Sequence, residues 1–219
     1  MLKLIIFATI LMSIIIFYVW RFASRKHEIP CPFWLRWLVE IDNPFTKTNK
    51  ANVIIEQSDI QPGMQVIDFG CGSGRLTIPV AERVGTSGKV TAVDIQAEML
   101  ERVEKKRKEK KLMNIKFAEG KIGLGELQLS PCDHALLVNV LGEIPNREAA
   151  FTEIFNILKP DGILTVAETI FDPHFQKREE VLKLAGKAGF HEMDFNGNWA
   201  AYSLLLRKPV SSLEIKTND

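Results

Sequence analysis

From Met64 onward the chain switches between short apolar runs and longer stretches whose apolar residues recur every three or four positions. The short runs predict strands at Gln65–Asp68, Lys89–Asp94, Ile115–Ala118, His134–Val140, Ile163–Glu168, His191–Asp194 and Ala200–Arg207. The longer stretches predict helices near Arg75–Val84, Ala97–Lys111, Arg147–Leu158 and Phe175–Ala188. Strands alternating with helices in this way predict an α/β domain built on a doubly wound, mostly parallel sheet of seven strands. Asn196-Gly197-Asn198 falls between the last two runs, so these are expected as an antiparallel hairpin at one edge.

A different pattern precedes this domain. From Leu4 to Trp20 no residue is charged, and Ile, Leu, Phe, Met and Val dominate. At about 1.5 Å per residue the stretch would reach roughly 25 Å, near the lower limit for crossing a bilayer. Lys3 can snorkel at one end, while Tyr18 and Trp20 suit the interface at the other. A single transmembrane anchor is therefore expected over residues 1–22, with residues 4–20 in the membrane. A cleaved signal peptide is disfavoured, because Trp20-Arg21-Phe22-Ala23-Ser24-Arg25 offers no small-x-small cleavage site. A core helix is disfavoured by the all-round hydrophobicity. Arg21, Arg25 and Lys26 outnumber Lys3 and the terminal amine, which predicts a single-pass protein with its larger part on the cytoplasmic side.

Residues 23–58 read as an amphipathic linker. Pro30-Cys31-Pro32 is a stiff turn, and Phe33, Trp34, Trp37, Leu38 and Ile41 then recur at helical spacing. That stripe suits the headgroup layer, the cover of a pocket or the outside of a core. Asn43-Pro44 ends it, and a short helix is expected from about Thr48 to Gln57. The α/β domain is expected over 59–209, with a polar tail at 210–219.

Composition narrows the chemistry. A net charge of +1 gives no field for nucleic acid, and none is expected as a partner. Three cysteines, Cys31, Cys71 and Cys132, are too scattered for a disulfide framework, and no Cys/His spacing suggests a metal. The run Glu101 to Lys111 is most simply a solvated helix face, with contact to anionic lipid as the alternative.

The densest signal is Val66-Ile67-Asp68-Phe69-Gly70-Cys71-Gly72-Ser73-Gly74, a strand that ends in an acid before three alternating glycines open a helix. Glycine lets the backbone turn sharply and approach a ligand closely, and ligands of such sheets bind beyond the carboxyl ends of the strands. A dinucleotide fingerprint would place its third glycine where Arg75 stands, and Asp68 would repel a pyrophosphate. The next strand ends in Asp94, twenty residues after Gly74, where an acid can accept both hydroxyls of a ribose or can simply cap the following helix.

This set resembles the first two motifs of class I S-adenosylmethionine-dependent methyltransferases. The resemblance runs from about Gln61 to Pro209. It takes in Leu136-Leu137-Val138-Asn139-Val140-Leu141-Gly142-Glu143-Ile144-Pro145 and the segment Leu158-Lys159-Pro160-Asp161-Gly162. It implies a Rossmann-like methyltransferase fold, S-adenosylmethionine as cofactor, and cofactor contacts from Asp68, Gly70, Cys71, Gly72, Gly74, Asp94, Ile95, Met99, Ile122 and Asn139. Asp68, Gly70 and Gly72 would lie near the methionyl part, Asp94 at the ribose, and Ile95 and Met99 beside the adenine. One departure stands out: many relatives carry Gly-Asp after the third strand, whereas here Gly120 is followed by Lys121. Adenine contact must then come from elsewhere, such as the backbone around Ile122. A donor kept in the cytosol agrees with a cytoplasmic catalytic face.

Transfer from a sulfonium depends largely on positioning, and a general base is needed only when the acceptor must lose a proton. Asn139, Glu143 and Glu168 are placed at carboxyl ends of strands, with Glu143 preferred as acid/base or orienting group and Asn139 beside it as a second catalytic candidate. A helix cap after Pro145 is the alternative role for Glu143. His174 is a weaker candidate, and His134, on the opposite edge, is expected to be structural. Cys71 is read as a turn filler, not a nucleophile. Methylation of a small or lipid-like acceptor at the cytoplasmic membrane face is the leading expectation. A membrane-tethered, non-catalytic cofactor-binding module is the alternative, and a nicotinamide-linked reductase is the less favoured one.

Overall fold

The computed structural model describes residues 49–210 and, near the amino terminus, the helical residues 6–9, 11, 12, 15 and 16. Those eight early residues are all exposed, Phe7 and Ile16 among them. Among the described residues, no helix is long and apolar enough to cross a membrane. The remainder of the expected anchor, the Phe33–Ile41 stripe and the tail from residue 211 lie outside the described residues.

The elements follow one another as α1 (Ala51–Gln57), β1 (Gln65–Phe69), α2 (Thr77–Val84), β2 (Lys89–Asp94), α3 (Ala97–Glu109), β3 (Ile115–Glu119), β4 (Cys132–Val138), α4 (Arg147–Ile157), β5 (Leu158–Thr169), α5 (Arg178–Ala188), β6 (His191–Gly197) and β7 (Ala201–Arg207). They form one seven-stranded sheet in the order β3-β2-β1-β4-β5-β7-β6. β1 to β5 run parallel to one another. β7 returns antiparallel between β5 and β6, so the expected hairpin closes one edge with its second strand inward.

Because neighbouring residues of a strand point to opposite faces, each central strand feeds two cores at once, and its sequence reads as an almost unbroken apolar run. On one face Ile67, Phe69, Leu137, Val166 and Leu204 pack with Phe151 and Ile154 of α4 and Val181 of α5. On the other, Val66, Ala92, Leu136 and Val138 meet Val80 and Val84 of α2, Val103 of α3 and Ile54 and Ile55 of α1. α1, read from sequence as part of the linker, is thus built into the core. Ser58 Oγ sits 2.9 Å from Thr165 Oγ1, and Ser203 Oγ donates to Gln57 Oε1 at 2.6 Å. Phe151 is fully buried with its ring 6.2 Å from that of Phe190, and truncation to alanine there costs about 3–5 kcal/mol.

Three strands depart from the expected bounds by two residues or more, among them β6, which continues past Asp194 to Gly197 as it pairs with β7. β5 begins at Leu158, five residues before the predicted Ile163, because Leu158 already pairs with Cys132 ahead of a register shift. Asp161, at φ 65°, and Gly162 then exchange backbone hydrogen bonds with Lys208. β4 ends at Val138 rather than Val140, since Asn139 turns out at φ 54° while its N–H still donates to Ala167 O at 2.8 Å.

Candidate active site

The chain runs from β1 outward through β2 to β3, then crosses back to β4 on the other side of β1. Ligands of open α/β sheets bind where such a reversal opens a crevice beyond the carboxyl ends. Here that crevice lies between the ends of β1 and β4. The turn after β1 enters it with Gly70, Gly72 and Gly74 at φ 66°, 51° and 86°, which residues bearing a Cβ rarely adopt. A Cβ on Gly70 would also lie 2.3 Å from the Val140 side chain, so this glycine lets the two strand ends close on each other.

Asp68 is buried, and its Oδ2 accepts a 2.6 Å hydrogen bond from Thr77 Oγ1 at the start of α2. Burial raises its carboxyl to about 6, against the opposing pull of Thr77 and Arg75. Asp94 is also buried. Its Oδ2 accepts from Gly72 N at 2.8 Å and its Oδ1 from Gln96 N at 3.0 Å. Burial raises this carboxyl too, partly offset by those backbone donors. One acid therefore fixes the glycine loop and the end of β2 together. Ser73 Oγ, buried in the same turn, has no hydrogen-bond partner among the described residues.

This donor set can be tested against the cofactor that the sequence implies. A carboxylate offers about four lone-pair sites; Thr77 occupies part of this capacity on Asp68, and the backbone of Gly72, Ile95 and Gln96 part of it on Asp94. Two buried acids with acceptor capacity left fit a cationic group beside a diol, and they repel a diphosphate. The set fits S-adenosylmethionine and disfavours a dinucleotide.

The other predicted positions surround this centre. Cys71 is buried in the turn, and burial beside Asp68 and Asp94 pushes its thiol far above the ordinary range, so it is no nucleophile. Ile95 is 40% exposed after β2, whereas Met99 on α3 is buried. Ile122 is buried in the loop after β3, and that loop is held by Glu153 Oε2, which accepts from Gly123 N at 2.7 Å and Gly125 N at 3.2 Å. Lys121 points to the exposed side.

Asn139 faces Asn49, ninety residues away, and the two amides bond reciprocally at 3.2 Å. Arg75 Nη1 donates to Asn49 O at 2.9 Å. Asn49 thus joins the glycine loop to the end of β4. The sequence pattern did not point to Asn49, since nothing local marks a lone asparagine for a long-range amide pair.

Beyond Asn139, a short 3-10 turn spans Leu141–Glu143. Glu143 does not cap α4: Asn146 Oδ1 does, accepting from Ala149 N at 3.1 Å. Arg147 pins the turn by donating to Leu141 O at 3.1 Å and Gly142 O at 3.0 Å. A Cβ on Gly142 would lie 2.0 Å from the carbonyl oxygen of His174, so the turn presses directly on the loop after β5. Glu168, 1% exposed near the end of β5, accepts from Gln176 N at 3.0 Å, and its Oε1 has no hydrogen-bond partner among the described residues. Burial raises its carboxyl well above the usual range, with Asp172 adding to the effect. Glu143, Glu168 and His174 therefore gather with Asp172 and Arg147 beside the crevice. His134 lies far off in the core.

Comparison with known proteins agrees with this geometry. Residues 60–201 match a family model described as a methyltransferase domain. A demethylmenaquinone methyltransferase from Lactococcus lactis is 34% identical over 107 residues, 49% of this chain and 42% of that one. A ubiquinone/menaquinone biosynthesis C-methyltransferase from Shewanella pealeana is 31% identical over 118 residues, 52% of this chain and 46% of that one. The chain spans under half the length of both relatives. The fold is that of a SAM-dependent methyltransferase from Aquifex aeolicus, with a TM-score of 0.71 at 17% identity over 81% of this chain and 99% of that one. With a family match over 60–201 and the glycine turn, Asp68 and Asp94 at the switch point, the chain belongs to the methyltransferase domain family.

Proposed function

We propose that this protein methylates a quinol-like or other lipid-like acceptor at the cytoplasmic face of a membrane, tethered there by residues 4–20. The methyl donor is S-adenosylmethionine, which when bound supplies an electrophilic methyl group. The observation that carries the reading is the pair of buried acids, Asp68 and Asp94, on a glycine turn at the switch point.

In this reading Asp94 would accept the ribose hydroxyls while Gly72 and Gln96 hold its oxygens in place. Asp68 would face the ammonium group of the methionyl part, and Ile95 and Ile122 would flank the adenine. Asn139, braced by Asn49, would orient the donor from the β4 side. Glu143, the carboxylate next to it along the β4 loop, would take the proton that the acceptor loses. Such general-base help contributes about 10²–10⁴-fold. The quinone relatives support a flat, apolar acceptor, and the uncharged stretch from Leu4 to Trp20 supports a membrane-resident one.

Isothermal titration separates the donor classes: S-adenosylmethionine should bind and NADH should not, and binding of NADH alone would end this reading. Labelled donor incubated with membranes should place label in the lipid extract. Deletion of residues 1–22 should lower methylation of a membrane-borne acceptor far more than donor affinity. Equal loss of both would remove the tethering role.

A further inference from the structure

His174 is 5% exposed, and neither of its ring nitrogens has a hydrogen-bond partner among the described residues. Its Nδ1 lies 3.9 Å from Glu143 Oε1 and 3.7 Å from Asp172 Oδ1. These separations are too long for hydrogen bonds, yet they become ion pairs once the ring carries a proton. A buried polar atom left unpartnered destabilises the fold. The loop is nevertheless held in place by other bonds: His174 N donates to Asp172 Oδ1 at 2.6 Å, and Gln176 Nε2 donates to His174 O at 2.5 Å. The backbone is anchored while the ring is left free to bond.

The charged surroundings come from four elements. Glu143 belongs to the β4–α4 turn and Asp172 to the β5–α5 loop. Glu168 stands on β5, and Arg147 of α4 lies across Gly142. Tyr202 of β7 closes the floor, its hydroxyl donating to Gln176 O at 2.8 Å. Among the described residues no group of His, Cys, Asp and Glu is arranged to hold a metal.

We propose that His174 is a proton relay for Glu143, taking over the proton that Glu143 removes from the methyl acceptor. The proposal rests on the role given to Glu143 above. In the overall step the methyl–sulfur bond breaks and the methyl–acceptor bond forms. The acceptor's bond to hydrogen also breaks, and that electron pair stays with the acceptor. The positive charge that arrives with the donor leaves as a proton, first on the Glu143 carboxylate and then on His174 Nδ1. Asp172 stabilises the resulting imidazolium. The imidazolium then hands the proton back to Glu143, whose side chain is still partly exposed, and from there it passes to solvent. His174 is a positioning and relay group and does not itself touch the acceptor.

The test is a pair of reciprocal titrations on the full-length chain in detergent micelles. In nitrogen-15 NMR, the His174 ring should titrate with a midpoint about one unit lower in Glu143→Gln than in the unsubstituted protein. In carbon-13 NMR, the Glu143 carboxyl midpoint should rise by about the same amount in His174→Asn, because coupled sites shift each other. Unchanged midpoints in both arms overturn the relay. If Glu143→Gln fails to fold, the His174→Asn arm decides alone. With labelled donor and 1,4-naphthoquinol as acceptor, His174→Asn should lower kcat about 10²-fold and change the pH–rate profile, with donor affinity unchanged. Coupled titrations without methylation of this acceptor would leave the relay standing and count against the quinol reading instead.

Discussion

Two buried histidines, His134 and His174, show how differently the fold treats the two ends of its sheet. His134 enters β4 in the core with its Nε2 2.8 Å from Thr165 Oγ1, which in turn meets Ser58 Oγ at 2.9 Å. Burial lowers its imidazole to about 3, so it stays neutral throughout the working range. Beside it at the amino edge, Asp133 accepts from Gln65 N at 2.7 Å and pairs with Lys159 at 2.6 Å. Asp133, His134 and Thr165 at that end are all partnered. At the carboxyl edge, His174 Nδ1 and Nε2, Glu168 Oε1 and Ser73 Oγ are buried without hydrogen-bond partners among the described residues. The histidine at one end is tied into the core, and the one at the other end keeps bonding capacity beside the candidate site.

That contrast can be broken at either end. The largest expected effect is from Glu143→Gln, which should cut turnover by about 10²–10⁴-fold while thermal stability and donor affinity hold. A parallel fall in melting temperature would place Glu143 with the structural groups. Asp94→Asn should come next, weakening donor affinity by about 10²-fold if two charge-assisted hydrogen bonds of about 1.5–3 kcal/mol are impaired; calorimetry reads this directly. Third is a pH effect. The Asp68 carboxyl is raised to about 6 in the fold from 3.8, so the free protein binds more protons here than the unfolded chain does, and this group favours folding less as pH rises through 6. Donor binding has the opposite sense, because the ammonium needs the ionised form. Its Kd should rise as pH falls below about 6, by up to tenfold per unit, and a flat profile from pH 7 to 5 would exclude Asp68 as the ammonium's partner. Smallest in functional terms is Thr165→Val, which orphans His134 and Ser58. It should cost about 1–3 kcal/mol in denaturant unfolding and leave donor affinity as it was.

The sheet was legible because its signal is local and repeated. β2 matched the apolar run residue for residue, and the bounds of α3, α4 and β7 fell within two residues of the expected ones. β5 was misjudged at its start because Pro160-Asp161-Gly162 reads as a turn, and only pairing with Cys132 and Lys208 draws it into the sheet. The candidate donor residues were equally easy to single out, since Asp68, the three glycines and Asp94 sit within one βαβ unit. The residues gathered beside it at the ends of β4 and β5 were not. Asn49 meets Asn139 across ninety residues, and Asp172, Arg147 and Gln176 gain their roles only when two loops pack together. Spacing along a chain carries no record of such meetings.

Gly142 has a mechanical consequence. With no side chain at that position, two stretches of backbone lie closer than any Cβ would permit, so the gap between Glu143 and His174 is held by contact and not by attraction. Losing a charge on either group leaves that gap in place, as a spacer sets a clearance whatever current flows across it. Alanine at 142 would act as a shim. It would push the two loops apart by the width of a methyl group without altering any ionisable residue, separating what the site owes to distance from what it owes to charge.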